Sequence, residues 1–381
     1  MPHVFSHRIG KPWLVAIVAL VIIVTNYINL NSVSQPKPKP RLGPKLEPKL
    51  EPKIEPKLEP KLELEPKPEA KAEVLSLDER YHEHLQRLTQ GCGDICLHDQ
   101  VGSPSLYFDY ISKPKFQCDA LCTNAAIDAV SLESKSPSKI PDFMLPLFSY
   151  DGRVAMVQFP TFFDQQYLGA TAQQAVWSEA AVNEMVQQAS KRALHGNYGY
   201  EETNWVLEGL KQANVQDKNV LVIGSENPWV EACVLHAGAK HVTTLEYGKI
   251  VSEHPQISTL TPDEMRNQYS SKYSEYFDAI VTFSSVEHAG LGRYGDALNP
   301  WGDRQAIARA WCMAKPGARL VIGVMYRPPG PSGGPTATDA IEFNAHRVYS
   351  AFTLSHLLAN WRQIWRAPGG GQVVHVLEKA L

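Results

Sequence analysis

The chain has 381 residues, of which 44% are hydrophobic and 20% charged, with a formal net charge of −3. That length allows one large or two small domains, and the near-neutral balance withholds the basic face that nucleic-acid binding usually needs. No Walker loop, Gly-x-Ser-x-Gly elbow, HExxH or DxD-type metal motif occurs, so the usual marks of P-loop NTPases, serine hydrolases, zinc proteases and stalked glycosyltransferases are missing.

The first segment reads as targeting. His7, Arg8 and Lys11 precede WLVAIVALVIIVTNYINL over residues 13–30, and no Lys or Arg follows until Lys37. A bilayer needs about 20 mostly apolar residues, and positive charge stays on the cytosolic side. The expectation is a cytosolic tail at 1–12 and a signal anchor at 13–30, a single-pass type II membrane protein of the Golgi or another secretory compartment. Cleavage at Ser32-Val33-Ser34, giving a secreted chain, is the rival. Residues 31–74 form a low-complexity, disordered stalk. PKLE, with one PKIE, repeats five times from Pro44 to Glu63, and proline at every fourth position blocks a helix while Lys and Glu keep the segment solvated.

Residues 75–174 read as a Cys-containing pre-domain. Cys92 and Cys96 form one CxxxC and Cys118 and Cys122 another. This spacing is unusual for zinc ribbons, and a lumenal location favours disulfides among these four. Their connectivity is open. Cys233 and Cys312 fall in predicted helices and read as small buried hydrophobes. His82-Glu83-His84 reads as a solvated face of a polar helical stretch.

From residue 175 the pattern becomes regular. Apolar residues at helical spacing predict helices over 178–194 and 201–213. NVLVIG is a strand, WVEACVLHAGA a helix, and HVTTLEY at 241–247 a second strand. A short third strand lies within 256–265 and FDAIVTFSS at 277–285 is a fourth. A helix over 303–314, a strand in 315–326, a helix over AFTLSHLLANW and a last strand, QVVHVLEKA, complete the chain, with GPSGGPTATD at 330–339 as a flexible crossover. Apolar strands alternating with helices predict a parallel sheet covered on both faces.

This order, over residues 175–381, resembles the class I S-adenosylmethionine-dependent methyltransferases. VLVIG ending at Gly224 occupies the place of their first motif. Glu246 closes the second strand 22 residues later. FDAIVTFSSVEHAG and KPGARLVIGV resemble the fourth-strand and fifth-strand segments. More narrowly, SSVEHAGLGRYGDALNPWGD and DAIEFNAHRVYSAFTLSHLLANW resemble a nematode (Caenorhabditis) family of unknown function. The resemblance implies an α/β, Rossmann-like fold and S-adenosylmethionine as cofactor.

The candidate residues follow from that frame. An acid about 20 residues beyond a glycine turn suits the ribose hydroxyls of an adenosine ligand, which points to Glu246. Gly224 is expected to let the backbone approach the ligand. The loop GSENPW lacks further glycines, but a cationic methionine end needs acceptors such as Glu226 and no phosphate nest. Ser284 and Ser285 should flank the cofactor at the strand end. Asp263 stands where adenine is often contacted, although Thr261-Pro262-Asp263-Glu264 is a helix-start pattern in its own right. His288, with Glu287 second, is the candidate base for a hydroxyl acceptor. Arg293, Tyr294, Asp296, Trp301 and Asp303, in the long loop 289–303, are candidate acceptor contacts, with helix capping the plainer role for Asp303. Asp339, Glu342, Asn344 and His346 follow the crossover on the same side. Taken together, the reading is methyl transfer to a lumenal acceptor such as a glycan. A non-catalytic binding scaffold that kept the fold and an atypical glycosyltransferase are the alternatives.

Overall fold

A computed structural model describes residues 75–96, 114–164, 174–327, 339–368 and 371–380. The expected anchor at 13–30, the stalk and most of the 330–339 crossover lie outside these residues. Among the described residues no helix is long and apolar enough to cross a membrane.

In chain order the helices and strands are α1 (Leu77–Thr89), α2 (Cys118–Thr123), α3 (Leu145–Ser149), β1 (Ala155–Gln158) and β2 (Ala175–Trp177), then α4 (Glu179–Ser190), α5 (Tyr200–Ala213), β3 (Asn219–Ile223), α6 (Trp229–His236), β4 (His241–Leu245), β5 (Ile250–Ser252), β6 (Ile257–Leu260) and α7 (Pro262–Gln268). They continue with β7 (Phe277–Phe283), α8 (Gly302–Met313), β8 (Ala314–Tyr326), β9 (Ala340–Phe343), β10 (His346–Val348), α9 (Ala351–Leu357), β11 (Trp361–Arg366) and β12 (Gly371–Lys379). Seven strands form the central sheet in the order β11-β12-β8-β7-β3-β4-β6. Strands β6, β4, β3, β7 and β8 run parallel, and β12 enters antiparallel between β8 and β11. This is the expected α/β sheet with helices on both faces.

The two-residue period of the strands divides the core. Val220 and Val222 of β3, Ala279 and Val281 of β7, and Val374 and Val376 of β12 point to one face, with α4, α5 and α6. Leu221, Ile280, Ile322 and Val373 point to the other, against α8 and α9. Such continuous apolar runs are what a strand buried on both faces requires. Local signals set the ends: the Ser178 hydroxyl caps α4 by accepting from Ala181 N, and Thr261 and Glu264 form a reciprocal capping box on α7.

Residues 77–96 and 114–158 pack against the second face and around the 289–303 loop, where Tyr81, Met144, Phe148, Leu291, Leu298 and Ile341 share one cluster. Strand β1 pairs in parallel with β9. Three expectations change here. Cys118 pairs with Cys312 across 194 residues, while Cys92 pairs with Cys96 and Cys122 is a buried free thiol. Cys312 is therefore a disulfide partner and not an inert core residue. The cause is tertiary: α2 lies on α8, and that contact leaves no trace in the cysteine spacing. The second change is His84, which is buried on α1 with Tyr81 and Leu88, so only part of the His82-Glu83-His84 face is solvated. Helix α9 also stops at Leu357, and Trp361, expected as its end, opens the edge strand β11.

Candidate functional site

Sheet order reverses at β3, with β4 and β6 on one side and β7 and β8 on the other. Loops leaving the carboxyl ends of β3 and β7 must diverge at such a switch point, and ligands of open α/β sheets bind there. A cleft of about 230 Å³ opens at this place. Its floor is Gly224, Ser225 and Glu226 after β3, Glu246 and Tyr247 after β4, and Ser284, Ser285, Val286 and His288 after β7. Tyr198, Trp229, Phe283 and Tyr294 supply aromatic walls, and Asp128 and Arg309 enter from the opposite side.

The cleft is built around Glu246. Its carboxylate accepts from Ser225 N at 2.7 Å and from Tyr247 N at 2.6 Å, so the turn after β3 is tied to the end of β4. Burial raises its pKa against these backbone hydrogen bonds. Behind it, Glu231 of α6 is fully buried and accepts from Ser225 Oγ and Thr244 Oγ1, each at 2.8 Å. Burial pushes the Glu231 carboxyl up to about 7. Gly224 has φ +73°, and a Cβ there would lie 1.7 Å from Ser285 Oγ. The glycine is thus required by the facing β7 turn, a different reason from the ligand approach expected from the sequence.

The loop is poor in free donors. Ser225 N is committed to Glu246, Pro228 has no N–H, and Trp229 N donates to Asn227 O at 2.8 Å. Arg309 lines the cleft as a neutralised group, donating twice to Asp128 at 2.8 and 2.9 Å and also to Leu121 O and Asn124 O.

At the end of β7, Ser284 adopts φ +47°, the left-handed region that non-glycine residues rarely enter. This turns its hydroxyl toward Gln372, whose Nε2 donates to it at 2.9 Å. Glu287 is fully buried beneath, with Gln372 Nε2 at 3.5 Å from Oε1 and Oε2 without a partner. Burial pushes its carboxyl up to about 7, and Ser284 bonds to it as well as to Tyr198. His288 is buried and its Nδ1 lies 2.6 Å from Ala345 O, which makes Nδ1 the protonated nitrogen of a neutral ring. Burial, then the nearby Arg293 guanidinium, hold it down to about 3.

Of the candidates, Gly224, Glu226, Glu246, Ser284, Ser285, His288 and Tyr294 line the cleft. Glu287 stands behind the lining. Asp263 points to solvent and pairs with Arg266 on α7, while the adjoining Pro262 reaches the cleft. Asp296, Trp301 and Asp303 are buried in the packing of their own loop: Asp296 accepts from Gly290 N and Tyr294 N, and Asp303 accepts from Tyr349 Oη at 2.9 Å and faces Arg347 at 3.5 Å. Helix α8 begins without a side-chain cap, so Asp303 does not cap it. Asp339 is buried and accepts from Ser350 and Thr353 at the start of α9. The cleft residues that spacing did not single out include Asp128, Tyr198, Trp229, Tyr247, Phe283 and Arg309. Trp229 and Tyr247 directly follow the recognised loop and strand end, and their position was a usable signal.

A family model described as "Caenorhabditis protein of unknown function, DUF268" matches residues 217–368, which bears out the narrower resemblance. No curated protein matches. Among solved structures, the chain is similar to a Burkholderia thailandensis 1,6-didemethyltoxoflavin-N1-methyltransferase with bound 1,6-didemethyltoxoflavin and S-adenosylhomocysteine, at 15% identity and TM-score 0.34, covering 53% of this chain and 89% of that one. An O-methyltransferase from Bacillus cereus in complex with S-adenosylhomocysteine gives 13% identity and TM-score 0.33, with 52% and 91% covered. The N-methyltransferase NodS from Bradyrhizobium japonicum, also with S-adenosylhomocysteine, gives 16% and 0.32, with 53% and 97% covered.

Proposed function

We propose that the chain binds S-adenosylmethionine in the switch-point cleft and catalyses methyl transfer to a hydroxyl acceptor. The observation that carries this reading is the pairing of an acid planted at the end of β4 with a turn in which Gly224 N, Ser225 N and Trp229 N are already used. Glu246 keeps acceptor lone pairs beyond those taken by Ser225 and Tyr247, which suits ribose hydroxyls. Glu226 and Glu246 line a cleft whose lining guanidinium, Arg309, is neutralised by Asp128. A pyrophosphate would find few donors and several carboxylates, which disfavours a nucleotide or nucleotide-sugar. A ligand cationic at its methionine end finds the reverse.

When bound, the cofactor supplies a methyl group on a positively charged sulfur. The chain's residues do the rest. Tyr198, Trp229 and Phe283 form a contiguous ring cluster, with centroids 5.2 to 6.4 Å apart, that removes water from one wall. Holding acceptor and methyl in line supplies much of the rate in such a reaction. The acceptor's proton has a route through the Ser284 hydroxyl to Glu287, whose pKa lies near the working range of a base. His288, neutral and bonded to Ala345, shapes the wall and is too weakly basic to be the first choice. Rings beside acids also suit a glycan hydroxyl as acceptor.

The test is calorimetric titration of the full-length protein, in mild detergent, with S-adenosylmethionine, S-adenosylhomocysteine and a uridine diphosphate sugar. Micromolar binding of the first two that Glu246→Ala abolishes supports the reading. A folded protein that binds neither, or that prefers the nucleotide-sugar, removes it.

A further inference from the structure

Beside the cleft lies a second feature that cofactor binding does not use. The Arg293 guanidinium sits over the Phe163 ring at 4.1 Å and the Tyr294 ring at 5.3 Å. Its one hydrogen bond is long, from Nη1 to Ala345 O at 3.3 Å; His288 Nδ1, 3.4 Å away, is itself a donor to that oxygen, and the buried Nε has no partner. Among the described residues it meets no carboxylate, whereas Arg309, Arg266, Arg347 and Arg327 each do. Glu342, which faces the neighbouring His346, is engaged with Arg327 and His346, both at 3.4 Å. The two flanking imidazoles, His288 and His346, are both held below the usual histidine range, with burial the largest cause and Arg293 a further one, so the guanidinium is the cation of the group. It stands one side chain from the cleft, since His288 and Tyr294 line it.

We infer that Arg293, framed by Phe163 and Tyr294, is the recognition site for a carboxylate on the methyl acceptor. A half-buried guanidinium held flat by rings, with donors unspent, is preorganised for a planar bidentate anion. Glu246 and Glu342 nearby disfavour a dianion, so a monoanionic carboxylate fits better than a phosphate. The acceptor class is then an acidic hydroxyl compound, such as a uronic acid residue of a glycan. That acceptor role rests on the methyl-transfer reading, while the anion site itself does not.

The experiment is ligand-observed saturation-transfer NMR on the full-length protein with saturating S-adenosylhomocysteine. The probes are D-glucuronate, D-glucose and D-glucose 6-phosphate. Glucuronate is expected to bind best, and Arg293→Gln to weaken it by about tenfold or more, the usual weight of a charge-assisted pair. Arg293→Lys keeps the charge without the fork and should fall between. Equal binding of glucose and glucuronate, an unchanged Arg293→Gln, or tighter binding of the phosphate each overturns the assignment. So does joint loss of S-adenosylhomocysteine and glucuronate in Arg293→Gln, which would make Arg293 a structural prop. If the parent binds glucuronate through Arg293 but not S-adenosylhomocysteine, the anion site stands and the methyl-transfer reading falls.

Discussion

Gly224→Ala tests how the cleft is built. The substitution adds one methyl at a backbone φ of +73°, in a position 1.7 Å from Ser285 Oγ and 2.5 Å from Ser285 Cβ. Two costs follow. Holding alanine in the left-handed region costs roughly 1–2 kcal/mol. Forcing the β7 turn away from the added methyl costs about 1–3 kcal/mol, as for overpacking elsewhere. The expected loss is therefore about 2–5 kcal/mol in urea denaturation, a large share of the stability of an ordinary domain. Ser285→Gly separates the terms. Alone it should cost about 0.5–1 kcal/mol through backbone entropy. Combined with Gly224→Ala it removes both close contacts and leaves Ser285 Cα at 3.8 Å, an ordinary separation. The double variant should then keep only the backbone costs, giving a coupling of about 1–3 kcal/mol between the two sites. Costs that add to within about 0.5 kcal/mol would refute the steric account, because residues that do not clash have nothing to relieve.

Three further outcomes are expected. Glu246→Gln should weaken S-adenosylhomocysteine by about tenfold or more in calorimetry while the fold persists, since the amide cannot accept from both Ser225 N and Tyr247 N and still serve a ribose; unchanged affinity would remove Glu246 from the site. Glu231 has a folded-state pKa raised by burial to about 7, so the folded form binds its proton more tightly than the unfolded chain does. Its contribution to stability is present below about 4.5 and is lost as pH rises through about 7. Glu231→Gln cannot ionise, and its melting temperature should therefore gain on the parent's between pH 5 and pH 8; parallel curves would contradict this. For the disulfides, chain entropy ranks the two bridges: Cys118–Cys312, with a separation of 194, is worth about 5 kcal/mol and Cys92–Cys96, with a separation of 4, about 2. Paired Cys→Ser variants should melt in that order, and the reverse order would show that unfolded-chain entropy is not the governing effect.

What the sequence made legible was whatever repeats along the chain. Val220 to Ile223 and Ala279 to Val281 are continuous apolar runs because both of their faces are buried, and that pattern needs no tertiary knowledge. Glu246 could be found because its distance from Gly224 is fixed by one helix and one strand. Strand β11 escaped because it lies at the sheet border: Arg362, Gln363 and Ile364 are exposed, and LSHLLANW carries helical spacing into it. Helix α1 did carry a signal, with Ser76 and Glu79 forming a capping box and Tyr81, His84 and Leu88 on one face, but its many charges hid the stripe. The opposite wall of the cleft carried none. Asp128 meets Arg309 across 181 residues and Cys118 meets Cys312 across 194, and both contacts arise only when α2 settles on α8. Asp296, Trp301 and Asp303 became structural within their own loop, Asp296 through Gly290 and Tyr294 and Asp303 through Tyr349 and Arg347. A loop rich in aromatic and acidic residues looks like an acceptor site until residues 77–96 and 114–158 are laid against it. Those residues then bury Leu291 and Leu298 completely and leave Arg293 and Tyr294, on the cleft side, only half-buried.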